Sequence, residues 1–175
     1  MTPETIHETD LSVADEAMIV DLLMRAFGPD FEGRSYFKQR PHLRFVIRDE
    51  GRIVSHLTVA FRDIRLGEAR VTIGGIGEVA TDATHRGRGH AARVLDAAIA
   101  HLRGSLAEFA LLCGDTPLYE ARGFVHANNR LTFPRLDAAR TGGVQSRVVE
   151  GFKVLPLGAR RWDFAAPVDL VGHLF

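Results

Sequence analysis

The sequence lacks several features that mark particular classes of protein. It has one cysteine, Cys113, so the chain cannot form an internal disulfide and a reducing compartment is expected. No apolar run approaches the length that crosses a membrane. The opening residues MTPETIHETD have neither the basic start nor the apolar core of a signal peptide. These absences predict a cytoplasmic protein with no membrane partner.

The chain also lacks an excess of charge of either sign. Its 22 Lys and Arg residues balance 22 Asp and Glu residues, so the formal net charge is zero. A nucleic acid is therefore not an expected partner, because there is no global basic field to attract its backbone. The sequence has no internal repeat and no metal-spaced cluster of Cys and His, so no metal is expected. A small-molecule partner agrees best with this composition.

The length and patterning predict one domain of mixed secondary structure over residues 1–175. The chain is long enough for one well-buried domain and short for two. Helical spacing of apolar residues predicts helices over about 13–27 and 89–103. Alternation on both sides of Asp49-Glu50-Gly51 predicts an antiparallel hairpin. Further strands are expected near residues 4–9, in ARVTIGGIGEVAT at 69–81, and near 107–113, 124–133 and 146–155, with a short helix in TPLYEAR; the segment with Trp162, Pro167 and Phe175 has no assignment.

The stretch THRGRGHAAR places Gly87 and Gly89 where a helix begins, although glycine weakens helices. A tight turn is one explanation. The other is that an anion approaches the bare backbone amides at the positive end of the helix, with Arg86 and Arg88 adding positive charge. The Lys-Ser/Thr of a P-loop and the full glycine fingerprint of a dinucleotide fold are missing. A pyrophosphate is the expected ligand under the second explanation.

Two segments together resemble a known family. EVATDATHRGRGHAARVL resembles the acyl-CoA-binding motif, Arg/Gln-x-x-Gly-x-Gly/Ala, of the Gcn5-related N-acetyltransferases, the GNAT superfamily. LYEARGF at 118–124 is similar to their second signature, and the strand AEFALLC lies between the two. The resemblance covers roughly residues 4–156 in element order. It implies an α/β (α+β) fold with flanking helices and a mixed, mostly antiparallel central sheet, splayed between its fourth and fifth strands.

Within this family the sequence is most similar to the aminoglycoside 2'-N-acetyltransferases and more weakly similar to the nodulation N-acyltransferases. The runs AFGPDF, IVSHLTV and GFKVLPL and the ending GHLF carry this likeness. It implies transfer of an acetyl group from acetyl-CoA to a primary amine of a small molecule, by direct attack in a ternary complex. A homodimer is also suggested. Two alternatives remain open: a non-catalytic acyl-CoA-binding module, and an acyltransferase that uses a longer acyl donor.

The resemblance also implies which residues hold the donor. The last residues of the fourth strand pair with the pantetheine amides, and the glycine-containing turn holds the pyrophosphate through its backbone. Carried onto this chain, the donor-binding residues are Val79, Ala80, Thr81, Arg86, Gly87, Arg88, Gly89, His90 and Ala91.

The implied catalytic residues are Tyr119 and Glu78. Tyr119 resembles the family's general acid, since a phenol can protonate a departing thiolate; the alternative is that it only packs its short helix. Glu78 is the candidate base, but the acidic residue of the aminoglycoside enzymes falls one position earlier, at Gly77. A one-residue shift turns a strand side chain to the other face unless a bulge restores it. His56 is an alternative base, although a lone strand histidine is more often structural.

Cys113 lies at the end of an apolar strand, near the expected thioester. An acyl-cysteine intermediate is conceivable there, but a cysteine in such a strand is more often a buried small hydrophobe. The family usually transfers the acyl group directly. We therefore expect no covalent intermediate at Cys113.

The expected acceptor-binding residues are Asp30, Phe31, Ser35 and His173. Two acidic acceptor contacts of the aminoglycoside enzymes fall at Ser35 and His173 here, and only Asp30 stays acidic. A polycation needs several carboxylates to replace its hydration, so we expect a less cationic amine. The aromatic residues that either wall this pocket or belong to the core are Phe31, Tyr36, Phe37, Trp162 and Phe175.

Overall fold

The computed structural model describes residues 1–137 and 139–175. The chain divides into two compact units. The first contains Met1–Ala60 and Gly77–His101, and the second contains Phe61–Ile76 and Leu102–Phe175. Two long strands, β3 (Arg52–Leu66) and β4 (Ala69–Thr81), contribute residues to both units.

The first unit contains two complete strands, parts of β3 and β4, and nearly all of two α-helices. Strands β1 (Glu4–His7) and β2 (Leu43–Asp49) pair antiparallel, and β2 pairs antiparallel with β3. Helix α1 (Val13–Phe27) begins where the Ser12 side chain accepts a hydrogen bond from Asp15 N, and Gly28 follows it at a φ of 69°. Helix α2 (His90–Arg103) follows the turn after β4. The hydrophobic core of this unit consists of Ile19, Leu22, Leu23, Phe31, Val46, Ile53 and Ala80.

The second unit is mostly sheet. Its strands lie in the order β6-β9-β5-β4-β3-β10-β7-β8, with parallel pairing between β4 and β5 and between β10 and β7. The other registered pairs are antiparallel. The new elements are β5 (Phe109–Cys113), helix α3 (Pro117–Glu120), β6 (Val125–His126), β7 (Arg130–Asp137), β8 (Arg140–Val148), β9 (Phe152–Pro156) and β10 (Val168–Asp169). The α/β (α+β) class with a mostly antiparallel sheet is confirmed.

Close packing explains two of the glycines in β4. A Cβ at Gly74 would overlap the Leu102 side chain, and a Cβ at Gly75 would overlap the Phe175 ring. Parallel pairing of β4 with β5 runs from Ile73 to Ile76. Glycine is therefore required in the middle of β4 because other side chains lie directly on the backbone.

Most of the predicted elements are confirmed, but several boundaries were wrong. The expected strand at 4–9 ends at His7, and a short 3-10 helix, Glu8–Asp10, follows it. The expected strand at 107–113 begins only at Phe109. The expected strand at 146–155 is the end of β8 followed by β9, because the chain turns at Gly151, whose φ is 71°. The unassigned terminal segment contributes β10.

The expected strand at 124–133 is also wrong, because it is two strands, β6 and β7. Asn129 lies between them and is 3% exposed. Its amide donates to the carbonyls of Asp163 and Ala166, and its Oδ1 accepts from the Trp162 indole at 2.9 Å. Asn129 thus binds the segment around residues 162–166 instead of pairing with a neighbouring strand. This interrupts the strand between β6 and β7. Among the described residues no helix has the length and apolar composition to span a membrane.

Candidate active site

Glu78 lies in β4 with a left-handed backbone, at a φ of 57°. This conformation is uncommon for a residue that is not glycine, and in a strand it changes the direction of the side chain. The carboxylate points toward the segment after α1, where its Oε1 accepts a hydrogen bond from Phe37 N at 2.6 Å. The other oxygen, Oε2, is buried and has no hydrogen-bond partner among residues 1–137 and 139–175.

The surroundings of Glu78 bring its titration close to neutral pH. Burial raises the pKa of the Glu78 carboxyl to about 7, and the Phe37 amide and the charge of Arg44 oppose this shift. A carboxyl with such a pKa exchanges its proton readily at neutral pH. One fixed oxygen and one unpartnered oxygen leave the group held in place and able to accept a proton.

His56 is fully buried beside the backbone of Glu78. Its Nδ1 lies 3.2 Å from the Glu78 carbonyl oxygen and its Nε2 lies 3.1 Å from Arg44 Nη1. The neutral tautomer with its proton on Nδ1 satisfies both contacts. Burial, with the charge of Arg44, lowers the pKa of His56 to about 3. The contacts favour a structural role for this histidine, in holding the carbonyl of Glu78.

A charged network surrounds His56 and contains Ser35. Arg44, whose side chain is fully buried, donates from Nε and Nη2 to the two carboxylate oxygens of Glu8 at 2.6 and 3.0 Å, and from Nη1 to the Ser35 carbonyl. The Ser35 hydroxyl donates to Glu16 at 3.0 Å, and Arg40 pairs with Glu8 and Glu16. Ser35 is 1% exposed and thus lies inside this network. The nearby carboxylates are neutralised by arginines of the same unit.

The other predicted acceptor residues of the first unit occupy different environments. Asp30 is exposed on the short 3-10 helix Gly28–Phe31. Phe31 is buried in the core and packs against Phe27 and Phe37, with ring centroids 5.2 and 5.6 Å apart. The structure therefore places Phe31 against Phe37, whose backbone amide contacts Glu78, while Asp30 lies on the surface.

The glycines of the predicted donor turn have the conformation that glycine permits. Gly87 and Gly89 have φ values of 75° and 76°, and nothing lies within 4 Å of a Cβ built on either residue. The backbone just before helix α2 is therefore bare and open. His90 begins the helix and is 4% exposed, and its Nε2 has no partner in the described part of the chain. An orphaned buried donor or acceptor beside an open helix N-terminus suits an anionic ligand.

The end of β4 leads into this turn. The Ser55 hydroxyl donates to the Ala80 carbonyl at 3.2 Å and lies 2.9 Å from Thr81 Oγ1. Asp82 follows and accepts from Thr84 N, which orders the turn; the Thr84 hydroxyl holds the pKa of Asp82 well below its usual range. A cavity of about 160 Å³ borders Thr81 and Arg86.

Tyr119 belongs to the second unit, on helix α3. It is 7% exposed and packs against Phe124, with ring centroids 6.1 Å apart. A Cβ at Gly114 would overlap the Tyr119 ring, so glycine is required there. Burial raises the pKa of the Tyr119 phenol. The phenol therefore carries its proton at neutral pH.

Sequence reasoning missed Lys153, which supports the segment around Tyr119. The Lys153 side chain is fully buried, and its Nζ lies 3.3 Å from Asp115, 3.6 Å from Glu120 and 2.7 Å from His126 Nε2. Asp115, Glu120 and His126 also bring ligand-type atoms within 4.8 Å of one another. The lysine ammonium already supplies a cation to this cluster, so the cluster gives no indication of a metal site.

The remaining predicted residues lie in the second unit as well. The His173 carbonyl accepts a hydrogen bond from Arg62 Nη1 at 2.8 Å, and Phe175 lies against the same guanidinium. Cys113 is partly buried, and burial raises the pKa of its thiol to about 11. A thiol with this pKa is protonated at neutral pH and is a poor nucleophile.

Comparisons with known proteins agree with this architecture. A family model described as an acetyltransferase (GNAT) domain matches residues 10–127. No curated protein matches the chain significantly.

Several solved structures resemble the chain in fold. A GNAT family acetyltransferase from Brucella melitensis, in complex with acetyl-CoA, has 17% identity and a TM-score of 0.60 over 95% of this chain and 94% of its own. The GNAT family N-acetyltransferase YhbS from Escherichia coli, in complex with CoA, has 19% identity and a TM-score of 0.63 over 97% of this chain and 89% of its own. A probable N-acyltransferase from Enterococcus faecalis has 17% identity and a TM-score of 0.58, and the match covers 74% of this chain but only 33% of that longer one.

Proposed function

Because the chain belongs to the acetyltransferase (GNAT) domain family, we propose that it transfers an acetyl group from acetyl-CoA to a primary amine of a small-molecule acceptor. The observation that carries this proposal is the environment of Glu78, a buried carboxyl with a pKa of about 7 and one unpartnered oxygen. The complexes of the Brucella protein with acetyl-CoA and of the E. coli protein with CoA support the choice of donor.

The donor is bound mainly by backbone. The amides from Arg86 to Ala91 hold the pyrophosphate, and Val79, Ala80 and Thr81 pair with the pantetheine amides. The positive φ of Gly87 and Gly89, and the open space beside them, support this assignment. Helix N-termini favour anions because their first amides have no partner within the helix.

Glu78 acts as the base. An amine that is protonated at neutral pH must lose a proton before its lone pair can attack the thioester carbonyl. The carboxylate accepts this proton, directly or through water, on the oxygen that no protein donor occupies. The new C–N bond forms as the C–S bond breaks, in a ternary complex of enzyme, donor and acceptor.

Tyr119 acts as the general acid. The departing CoA thiolate takes a proton from the phenol, whose ordinary pKa of about 10 is close to that of a thiol, about 8.5. Burial raises the pKa of Tyr119, so the phenol carries the proton that it donates. The products are then the N-acetylated amine and free CoA.

The acceptor is proposed to be less cationic than an aminoglycoside. The carboxylates around Ser35 are paired with arginines, and Ser35 itself is buried in that network. Few acidic groups therefore remain to replace the hydration of a polycation. We therefore propose that the likeness to aminoglycoside 2'-N-acetyltransferases extends to the fold but not to the acceptor. The likeness to nodulation N-acyltransferases supports the alternative, in which the enzyme uses a longer acyl donor.

We also propose a cytoplasmic location and a homodimer. The single cysteine supports a reducing compartment. Strand β8 supports an interface, since it ends the strand order and most of its residues are exposed. Light scattering coupled to gel filtration measures the oligomeric state.

The experiment is release of the CoA thiol from acetyl-CoA in the presence of single amines, with wild type and Tyr119→Phe compared. The panel includes simple amines, amino acids, polyamines, gentamicin and tobramycin. Acceptor-dependent release that falls in Tyr119→Phe is the expected result. A non-catalytic binding module would bind acetyl-CoA and release nothing with any amine. Acetylation of gentamicin or tobramycin near the diffusional limit would contradict the proposed acceptor class.

A further inference from the structure

His85 lies in the turn of residues 82–89, between β4 and helix α2, and its imidazole contacts acidic side chains on both sides. Nε2 lies 3.0 Å from Asp49 Oδ2, while Nδ1 lies 2.9 Å from Thr84 Oγ1 and 3.4 Å from Asp82 Oδ1. Asp49 is the last residue of β2, 36 residues before the histidine. His85 therefore joins this turn to the β2–β3 hairpin, within the first compact unit.

The contacts of His85 use a hydrogen on each of its ring nitrogens. The Thr84 hydroxyl donates to Asp82 Oδ1 at 2.6 Å, so its oxygen is left to accept from Nδ1. The Asp49 carboxylate has no hydrogen of its own, so Nε2 must donate as well. A neutral imidazole carries one hydrogen and satisfies only one of these contacts. The protonated ring satisfies both, as a charge-assisted bridge between two acidic side chains.

The position of His85 within the turn gives this bridge its importance. The first residue of the turn, Asp82, is held by Arg25 of α1, whose Nη2 lies 3.0 Å from Oδ2. Gly87 and Gly89, near the other end, have positive φ values and open space around them. Glycine backbone resists displacement weakly. The placement of the amides around these glycines therefore depends on how firmly His85 is fixed just before them.

Several other charged or titratable groups face the imidazole of His85. A cavity of about 110 Å³ borders the ring, and its other charged lining residues are Asp49, Glu50, Arg52 and Asp82. From α2, the His90 ring lies with its centroid 6.3 Å from that of His85. Burial lowers the pKa of His90, and the nearby positive charges of Arg93, His85, Arg88 and the N-terminus lower it further. His90 is therefore neutral at neutral pH, and His85 is the histidine of this pair that can carry the charge.

We propose that Asp49 and protonated His85 are positioning residues that hold the donor turn, residues 82–89, in place for acetyl-CoA, so that donor affinity falls when His85 loses its proton. The inference rests on the proposed function, in which the amides from Arg86 to Ala91 hold the pyrophosphate. A neutral ring gives up one of its two contacts, which frees the turn either from the hairpin or from Asp82. The amides then spend less time in the arrangement that binds the anion, and affinity falls in proportion.

The test measures the Kd for CoA by calorimetry at pH 5.5 and pH 8.5, in wild type, His85→Gln and Asp49→Asn. At each pH the Kd of the variant is divided by that of wild type, which cancels the ionisation of the phosphates of CoA. We expect a ratio of about tenfold or more at pH 5.5, the range for one hydrogen bond between charged groups. At pH 8.5 the ratio is expected to be about twofold or less, because wild type has then lost the bridge too.

A double variant and two controls separate the bridge from general damage to the fold. The double variant His85→Gln with Asp49→Asn is expected to bind CoA no more weakly than either single variant, since both changes remove one contact. His7→Gln changes an exposed histidine of β1. Gly51→Ala changes the hairpin turn, where an added Cβ meets nothing within 4 Å. Both controls keep the wild-type Kd at both pH values, and circular dichroism checks that every variant is folded.

Hydrogen exchange provides a second readout that needs neither donor nor acceptor. In the free protein at pH 5.5, the amides of residues 82–89 are expected to exchange faster in His85→Gln and Asp49→Asn than in wild type and His7→Gln. Faster exchange in these variants, with no binding of CoA to wild type, supports the bridge and would count against the proposed function alone. Kd ratios that are the same at both pH values would overturn the inference. Turn amides that exchange as slowly in the variants as in wild type would overturn it as well.

Discussion

The backbone amide of Phe37 donates a 2.6 Å hydrogen bond to Oε1 of Glu78, 41 residues away along the chain. This contact and the left-handed backbone of Glu78 orient the carboxylate, while burial sets its proton affinity. His56 fixes the carbonyl of the same residue. Orientation and pKa of the proposed base thus depend on the segment after α1, on β3 and on β4 of one compact unit.

Replacing Glu78 by glutamine removes the proposed base with little change in shape. We expect kcat/KM at pH 7 to fall about 100-fold or more, since general bases contribute roughly 10²–10⁴-fold. The wild-type pH profile rises with an apparent pKa near 7, which matches the pKa of this carboxyl. This rise in kcat/KM near pH 7 is absent from the pH profile of Glu78→Gln. The control Glu68→Gln changes an exposed glutamate of the β3–β4 turn and keeps the wild-type profile.

The same variant changes how stability depends on pH. The folded-state pKa of Glu78 is raised from 4.5 to about 7, so between these values the folded protein holds a proton that the unfolded chain has released. Its contribution to stability is therefore present below pH 4.5 and is lost as the pH rises through 7. Wild type loses this contribution as the pH rises, whereas the glutamine of Glu78→Gln does not titrate. The unfolding free energy of Glu78→Gln minus that of wild type therefore increases by roughly 1–3 kcal/mol between pH 5 and pH 8. Urea unfolding at several pH values measures the difference, and parallel curves for the two proteins would count against it.

Alanine at Gly89 tests the donor turn. The substitution places a Cβ in a left-handed backbone and on the side where the pyrophosphate is proposed to approach. The Kd for acetyl-CoA is expected to rise about tenfold or more. Gly51→Ala is the matched control, because Gly51 has a φ of 79° in the β2–β3 turn and open space around it. Gly51→Ala is expected to lose as much stability as Gly89→Ala but to keep the wild-type Kd for acetyl-CoA. An equal rise in Kd in both variants would mean that backbone strain alone is responsible.

Cys113→Ala tests for a covalent intermediate. The thiol is protonated at neutral pH, with a pKa of about 11, so an acyl-cysteine is not expected. Turnover of the variant stays within about twofold of wild type because only a small, partly buried side chain is lost. Complete loss of turnover in a variant that still folds would reopen a ping-pong mechanism.

Local patterns predicted much of the fold, including the glycine turn before α2. Helix α1, the β2–β3 hairpin and the glycine turn before α2 follow from signals within about 20 residues: apolar spacing, the Ser12 cap, and glycines at positive φ. The break between β6 and β7 was not predictable in this way. It depends on Asn129 and its partners 33 to 37 residues away.

The electrostatics of the site were also beyond local reasoning. The position of Glu78 beside Gly77 was evident in the sequence, but its direction depends on a left-handed backbone, with a φ of 57°, that no residue type in GGIGEVAT specifies. Arg44 lies between Leu43 and Phe45 in the strand LRFVIRD, which is a signal for a buried charge, yet its partner Glu8 is 36 residues away.

A single-turnover experiment with radiolabelled acetyl-CoA tests the central claim, direct transfer of an acetyl group to an amine. Enzyme in excess is mixed with the labelled donor, first alone and then with an acceptor found by the amine panel, and the label is followed in donor, protein and product. The account predicts that without acceptor the label stays in acetyl-CoA, and that with acceptor it moves to the amine nitrogen, more slowly in Glu78→Gln. Label that remains in acetyl-CoA with every amine, or that accumulates on the protein, would contradict it.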